Sequence, residues 1–268
     1  LATLAPDRPL TFLDHRLMTG DSLVGTSPEE VLLRRPPGLS AGRTPARPAD
    51  LPLFGSDVLG LDMQQVLPGR AAVALREDDT AAVIREKERV VAALNGPSSP
   101  LAKWRTVCDL WCAQAFAERR HRADGVGVFW ALADHALHGH GPFPSPEADR
   151  LLRDARAVGA QRRFFHWPLE FPEVFYRDDG LPLERPGFDA VIGNPPWDMI
   201  RGDTGDSEER VLGRREARAL ALFARESGAY RAQGAGHGNR FQLFVERAYR
   251  LCREGGRLGM VTPWGLAA

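Results

Sequence analysis

Between Phe188 and Trp197 an apolar run, Phe-Asp-Ala-Val-Ile-Gly, ends in Asn-Pro-Pro-Trp. Consecutive prolines have no backbone N–H to give to a sheet ladder, and a residue before proline is pushed out of the helical region. A strand running into Asn194 must therefore leave its sheet there. The run before it reads as a buried strand. Its carboxyl end fixes the Asn194 side chain and the Pro195 carbonyl at the edge where open α/β sheets hold ligands.

Two acceptors, the Asn194 amide oxygen and the Pro195 carbonyl, aim at a single NH2 group, and Trp197 offers a flat apolar face for a ring to stack on. Transfer to an exocyclic amino group on a planar ring is the chemistry that uses such a set. The four residues Asn194, Pro195, Pro196 and Trp197 resemble motif IV of the amino-methylating S-adenosylmethionine enzymes, (D/N/S)PP(Y/F/W). Enzymes of that kind that act on adenine in DNA flip the base out of the duplex, because its N6 is otherwise paired.

The chain has 268 residues, enough for one large or two modest domains with a sizeable core. No apolar run approaches the roughly 20 residues of a membrane span, and the first residues lack signal-peptide architecture, so a cytoplasmic protein is expected. The three cysteines are odd in number, with Cys108 and Cys112 one helical turn apart, a pattern of buried thiols rather than a disulfide framework. Formal net charge is zero, which argues neither for nor against nucleic acid.

Ser27-Pro28-Glu29-Glu30 has the cap, the N1 proline and the acidic first turn of a brief helix. Prolines and glycines from about residue 35 to 60 read as a linker. Helices are expected from about Glu77 to Leu94, Leu101 to Arg120, Val128 to Leu137 and Ser145 to Val158, making this region mostly helical. An aromatic, proline-broken segment, His166 to Phe175, leads into the strand. After Trp197 the chain turns polar and rich in Gly and Arg as far as about Gly238. Phe241, Phe244, Val245, Ala248, Leu251 and Cys252 then recur at helical spacing, Gly255-Gly256 stops that helix, and Arg257 to Val261 resume as a strand. Strand, helix, strand in this order implies a parallel crossover.

Four segments together resemble the large gamma-class adenine-N6 DNA methyltransferases of the Eco57I-like type, found in type IIG restriction-modification enzymes and in the BREX and class 1 DISARM phage-defence systems. They are Phe12–Leu17 with Gly20–Gly25, Cys108–Ala113, His166–Phe175 running into Gly187–Trp197, and Phe241–Ala248 with Gly255–Gly259. The resemblance implies an α/β fold, a partial class I S-adenosylmethionine-dependent methyltransferase (Rossmann-like) sheet interrupted by a mostly helical insertion. Core segments would span residues 1–25 and 161–268, and the insertion 26–160. It makes Gly20-Asp21-Ser22-Leu23 the counterpart of motif III, with Asp21 accepting a hydrogen bond from the adenine amino group of S-adenosylmethionine. The partners it implies are double-stranded DNA with a flipped adenine and other subunits of a defence system.

One departure from the family pattern is the glycine-rich cofactor turn expected before motif III. Gly125–Val128 and Gly234–Gly238 are glycine-rich, but neither follows a strand and opens a helix. That turn is expected upstream of Leu1, and the residues present are expected to bind cofactor weakly by themselves.

Other patterns point less sharply. His135, His138 and His140 with Cys108 and Cys112 lack the close cysteine spacing of a zinc site, so no metal is expected. Arg201, Arg210, Arg214, Arg215 and Arg218 could meet phosphates, but acidic residues interleave with them and suit a solvated helix face. Asn-Pro-Pro-aromatic enzymes also modify glutamine in proteins or guanine N2 in RNA, although those keep the segment before motif IV short. A degenerate methyltransferase module used for DNA binding or assembly is the non-enzymatic alternative.

Overall fold

A computed structural model of the chain describes residues 12–39, 56–118, 121–141, 144–200, 207–232 and 239–263. The first helix, α1 (Pro28–Leu33), forms as its sequence dictates: Ser27 Oγ accepts the Glu30 N–H at 3.1 Å, and Pro28 occupies the first turn. Four further helices are α2 (Ser56–Leu75), α3 (Ala81–Asn95), α4 (Pro100–Phe116) and α5 (Val126–His138). The helix α6 (Ser145–Arg162) brings the chain to α7 (Trp167–Glu170) and a 3-10 turn at Pro172–Val174. The remaining elements are β1 (Phe188–Gly193), α8 (Ser207–Glu226), α9 (Arg240–Leu251) and β2 (Cys252–Met260).

Helix α4 is the hub of the core. Leu101, Trp104, Val107, Cys108, Leu110, Trp111 and Cys112 are all buried, so apolar side chains surround the axis rather than lining one stripe. It touches α1, α2, α3, α5, α6, α7 and α8. Its two indoles keep their donors satisfied inside the core, Trp104 to Asp62 Oδ2 at 2.8 Å and Trp111 to the Arg34 carbonyl at 3.3 Å. One continuous apolar cluster runs from Leu23 and Val24 through α4 to Phe223 and Leu243.

The strands β1 and β2 pair in parallel, with Val191 opposite Leu258, Ile192 opposite Gly259 and Gly193 opposite Met260. This is the crossover expected from the sequence, and it makes a small two-stranded sheet in a mixed α/β structure. Several details differ from expectation. The strand β1 is not buried: Ile192 is 86% exposed, because no other described strand or helix covers that side. Gly255 and Gly256 do not stop α9, which ends at Leu251 and passes directly into β2. The register instead slips between Phe188 and Ala190, which face Cys252 and Arg257, and Gly255 takes φ 77° inside that irregularity.

The linker expected over residues 35–60 falls mostly outside the described residues, but α2 already begins at Ser56 and continues through Gly60, Pro68 and Gly69. Breakers at those positions hid a helix whose Leu59, Met63, Val66 and Leu67 are core residues. The polar stretch after Trp197 likewise contains the 20-residue α8. Phe223 anchors it, with its ring 6.2 Å from Trp111 and 5.8 Å from Phe116. No described helix is long and apolar enough to cross a membrane.

Candidate active site

The aromatic lead-in folds as a packed support for β1. Phe188, the first strand residue, meets Trp167 and Phe171 with ring centroids at 5.7 Å and Phe175 at 6.1 Å, all near perpendicular. Arg70, buried on α2, braces the same segment through Glu173 at 2.7 Å and the Glu170 carbonyl at 3.0 Å. The strand end therefore projects from a fixed base.

Past Gly193 the chain leaves the sheet at Asn194, as consecutive prolines require. Pro195 is buried, while Asn194, Pro196 and Trp197 are exposed. Trp197, 54% exposed, donates its indole N–H to the Val261 carbonyl at 3.4 Å, and the Val261 N–H donates to the Gly193 carbonyl at 3.0 Å. These two bonds tie the ring to the far end of β2 and leave its face to solvent. Neither the Asn194 amide nor the Pro195 carbonyl has a hydrogen-bond partner among the described residues. Two acceptors and an exposed aromatic ring thus stand within four residues at the strand end.

Asp21 lies on a different segment. Residues Gly20 to Gly25 run beside Arg163 to Trp167: the Asp21 N–H donates to the Arg163 carbonyl at 2.7 Å, the Phe165 N–H to the Val24 carbonyl at 2.8 Å, and the Trp167 indole to the Ser22 carbonyl at 3.2 Å. The approach is so close that a Cβ on Gly25 would sit 1.8 Å from the Phe165 carbonyl oxygen, which is why glycine stands there. Asp21 Oδ1 accepts the Leu23 N–H at 3.0 Å, and the Val24 N–H also acts on the carboxyl. Burial raises the Asp21 pKa above its ordinary value, opposed by the Leu23 and Val24 N–H groups and by the charges of Arg240 and Arg247.

No hydrogen bond joins Asp21 directly to Asn194–Trp197 among the described residues; α9 connects them. At its start, the Arg240 N–H donates to the Asp198 carbonyl at 2.9 Å, and Met199 bridges Asn239. Two turns later Arg247, only 8% exposed, donates to the Leu23 carbonyl at 2.9 Å and the Gly25 carbonyl at 3.4 Å. Its guanidinium also lies 5.0 Å from the centre of the Tyr230 ring, whose hydroxyl donates to the same Leu23 carbonyl at 2.5 Å. Reading the sequence missed Arg247. The available signal was a cation at i+4 from Leu243 and i−4 from Leu251, on a face otherwise apolar.

His166, 2% exposed, is a positioning residue. The Thr26 N–H donates to its Nδ1 at 3.3 Å, and Nε2 meets Asp109 Oδ1 on α4 at 3.1 Å, which ties the lead-in to the core. Cys108 and Cys112 point into the core of α4, where burial pushes both thiol pKa values well up. His135 and His138 pair with Asp149 and Asp134, and no group of three or more metal-ligating side chains occurs among the described residues. Gly125 opens α5 with φ 99°, but no described strand precedes it, while Gly234–Gly238 lie outside the described residues. A cavity of about 520 Å³ between Glu29, Trp167, Tyr176 and Arg250 does not include the Asn-Pro-Pro-Trp turn, which is open.

Comparison with curated proteins and with solved structures gives no match. A family model, Eco57I restriction-modification methylase, matches residues 100–266, from the hub helix through the Asn-Pro-Pro-Trp turn and past the end of β2. That span is more than half of the chain. The strand end and the crossover that carries it thus lie within the match to a methyltransferase family, and the chain belongs to the Eco57I restriction-modification methylases.

Proposed function

We propose that this protein methylates the N6 amino group of adenine in double-stranded DNA, using S-adenosylmethionine, in restriction-modification or phage defence. The observation that carries the reading is the pair of unpartnered acceptors, Asn194 and Pro195, beside the open ring of Trp197 at the carboxyl end of β1. Acceptors bind the two amino hydrogens and draw the nitrogen lone pair out of conjugation with the ring. Holding the nitrogen in one direction also removes most of the entropic barrier to in-line attack. Pro196 fixes the turn, and Trp197 stacks on the base that duplex pairing would otherwise hide.

The residues around Asp21 fit the adenosine half of the cofactor. A half-buried carboxylate with one oxygen tied to the Leu23 N–H keeps the other as an acceptor for an exocyclic amino group. Bound there, S-adenosylmethionine would supply a methyl group activated on a sulfonium. The parallel β1–β2 pair is read as part of a class I, Rossmann-like sheet, residues 26–160 as an insertion in it, and residues 1–25 and 161–268 as its core. Other defence-system subunits are its proposed protein partners.

The test is methylation of unmodified duplex DNA with labelled S-adenosylmethionine, followed by mass spectrometry of the nucleosides. Wild-type protein should yield N6-methyladenine, and Asn194→Ala should lose nearly all of it. Trp197→Ala should weaken productive DNA binding by about 1 to 3 kcal/mol, the usual worth of base stacking. Undiminished turnover in the Asn194 variant would remove that side chain from the chemistry.

A further inference from the structure

Between the carboxyl end of α4 and one face of α8 lies a groove of about 510 Å³ whose floor is apolar, formed by Ala115, Phe116, Ala219 and Leu222. Its rim is Arg122, Arg214, Arg215 and Arg218, and no Asp or Glu side chain lines it among the described residues. Guanidinium groups lining one small groove repel each other where no anion sits between them.

Of the acids that interleave with these arginines along the sequence, Glu216 is engaged outside the groove. Glu216 pairs with Arg162 at 3.4 Å, and Glu118 meets Arg215 at 3.3 Å. Arg214 and Arg218 are exposed and have no ion-pair partner among the described residues. Arg122 is held rigidly: its Nε donates to the Ala117 carbonyl at 2.7 Å and its Nη2 to the Ala115 carbonyl at 3.5 Å. Burial, and to a lesser degree the charge of Arg215, lower its pKa.

We propose that the α4–α8 groove is a second DNA-contacting surface, in which Arg214, Arg218 and Arg122 hold backbone phosphates of the substrate duplex away from the base-holding turn. Phosphates match the rim, and deoxyribose faces match the apolar floor, where Val211 is 65% exposed beside the arginines. The chain's zero net charge hides this surface, because the positive charge is local. The assignment rests on the DNA reading above for the identity of its partner. It places Arg214 and Arg218 in duplex affinity, and Asn194 in base capture.

The experiment is fluorescence anisotropy of a labelled 30-base-pair duplex titrated with protein over a series of salt concentrations, alongside the methylation assay. Each phosphate contact contributes about 0.9 to the slope of log affinity against log salt. Arg214→Ala/Arg218→Ala should therefore lower the slope by about two and weaken binding roughly tenfold at low salt, with the loss shrinking as salt rises. Arg214→Lys/Arg218→Lys should restore most of the slope, since a point charge suffices for phosphate; that rescue separates charge from any fold defect. An unchanged slope in the double alanine variant, with wild-type circular dichroism, overturns the groove. So does a wild-type affinity that does not depend on salt. Failure of the methylation reading shows separately, as wild-type turnover in Asn194→Ala or as no N6-methyladenine, while the salt slopes still report on the groove.

Discussion

Asp21 shows how a residue proposed for the cofactor site can also be costly to the fold. Its carboxyl is held above the ordinary carboxylate range chiefly by burial, so folding favours the protonated form. Stability from this group is present in full below the ordinary pKa of 3.8 and is lost as pH rises through the raised value, leaving a constant penalty at neutral pH. Asp21→Asn removes that penalty. The variant should melt at the same or a higher temperature than wild type at pH 7, with the advantage fading as the pH is lowered below 3.8. Its amide oxygen would keep the Leu23 N–H and turn an NH2 donor outward, toward the amino group of the proposed cofactor. Cofactor affinity by calorimetry should fall about tenfold or more, the loss of a hydrogen bond to a charged acceptor. Equal affinities would remove Asp21 from the cofactor site, and a lower melting temperature at pH 7 would contradict the burial penalty.

At the scale of elements, α9 links the two halves of the candidate site, because its first residue reaches Asp198 and Arg247 holds the Gly20–Gly25 turn. Replacing Arg247 with Met keeps the apolar length, strands the Gly25 carbonyl and leaves the Leu23 carbonyl to the Tyr230 hydroxyl alone. The expected cost is about 1 to 3 kcal/mol. In a chain of this size that is a fall of roughly 2 to 12 °C in Tm, with cofactor affinity reduced alongside and Arg247→Lys intermediate. Unchanged melting in Arg247→Met would show that the turn stands without α9. Periodicity and caps made α1 and α3 to α6 readable in the sequence, and the double proline located the strand end. Periodicity could not reveal α2, whose Gly60, Pro68 and Gly69 imitate a linker, because tertiary burial of Leu59, Met63, Val66 and Leu67 overrides local propensity. The Gly20–Gly25 pairing was invisible for a different reason. It depends on a backbone approach to Phe165 across more than a hundred residues, and local spacing carries no record of that.

Over the whole molecule, the apolar cluster passes without interruption from the Asp21 segment through α4 to α8 and α9, so the candidate site and the helical region share one core. If that core unfolds as a unit, the cysteines report it. Cys108 and Cys112 are wholly buried on α4 with thiol pKa values raised by burial, whereas Cys252 is partly exposed at the start of β2. The thiolate is the reactive species, so a thiol reagent at pH 8 should modify one cysteine rapidly and leave two protected in the native protein. Adding denaturant should expose those two in a single step, at the midpoint where helical circular dichroism is lost, because no lesser opening reaches the centre of α4. Labelling of Cys108 and Cys112 well before that midpoint would mean that the helical region opens independently of the strand end. In that case Asn194 and Asp21 would be joined by α9 alone, and Arg247→Met would lower cofactor affinity far more than it lowers the melting temperature.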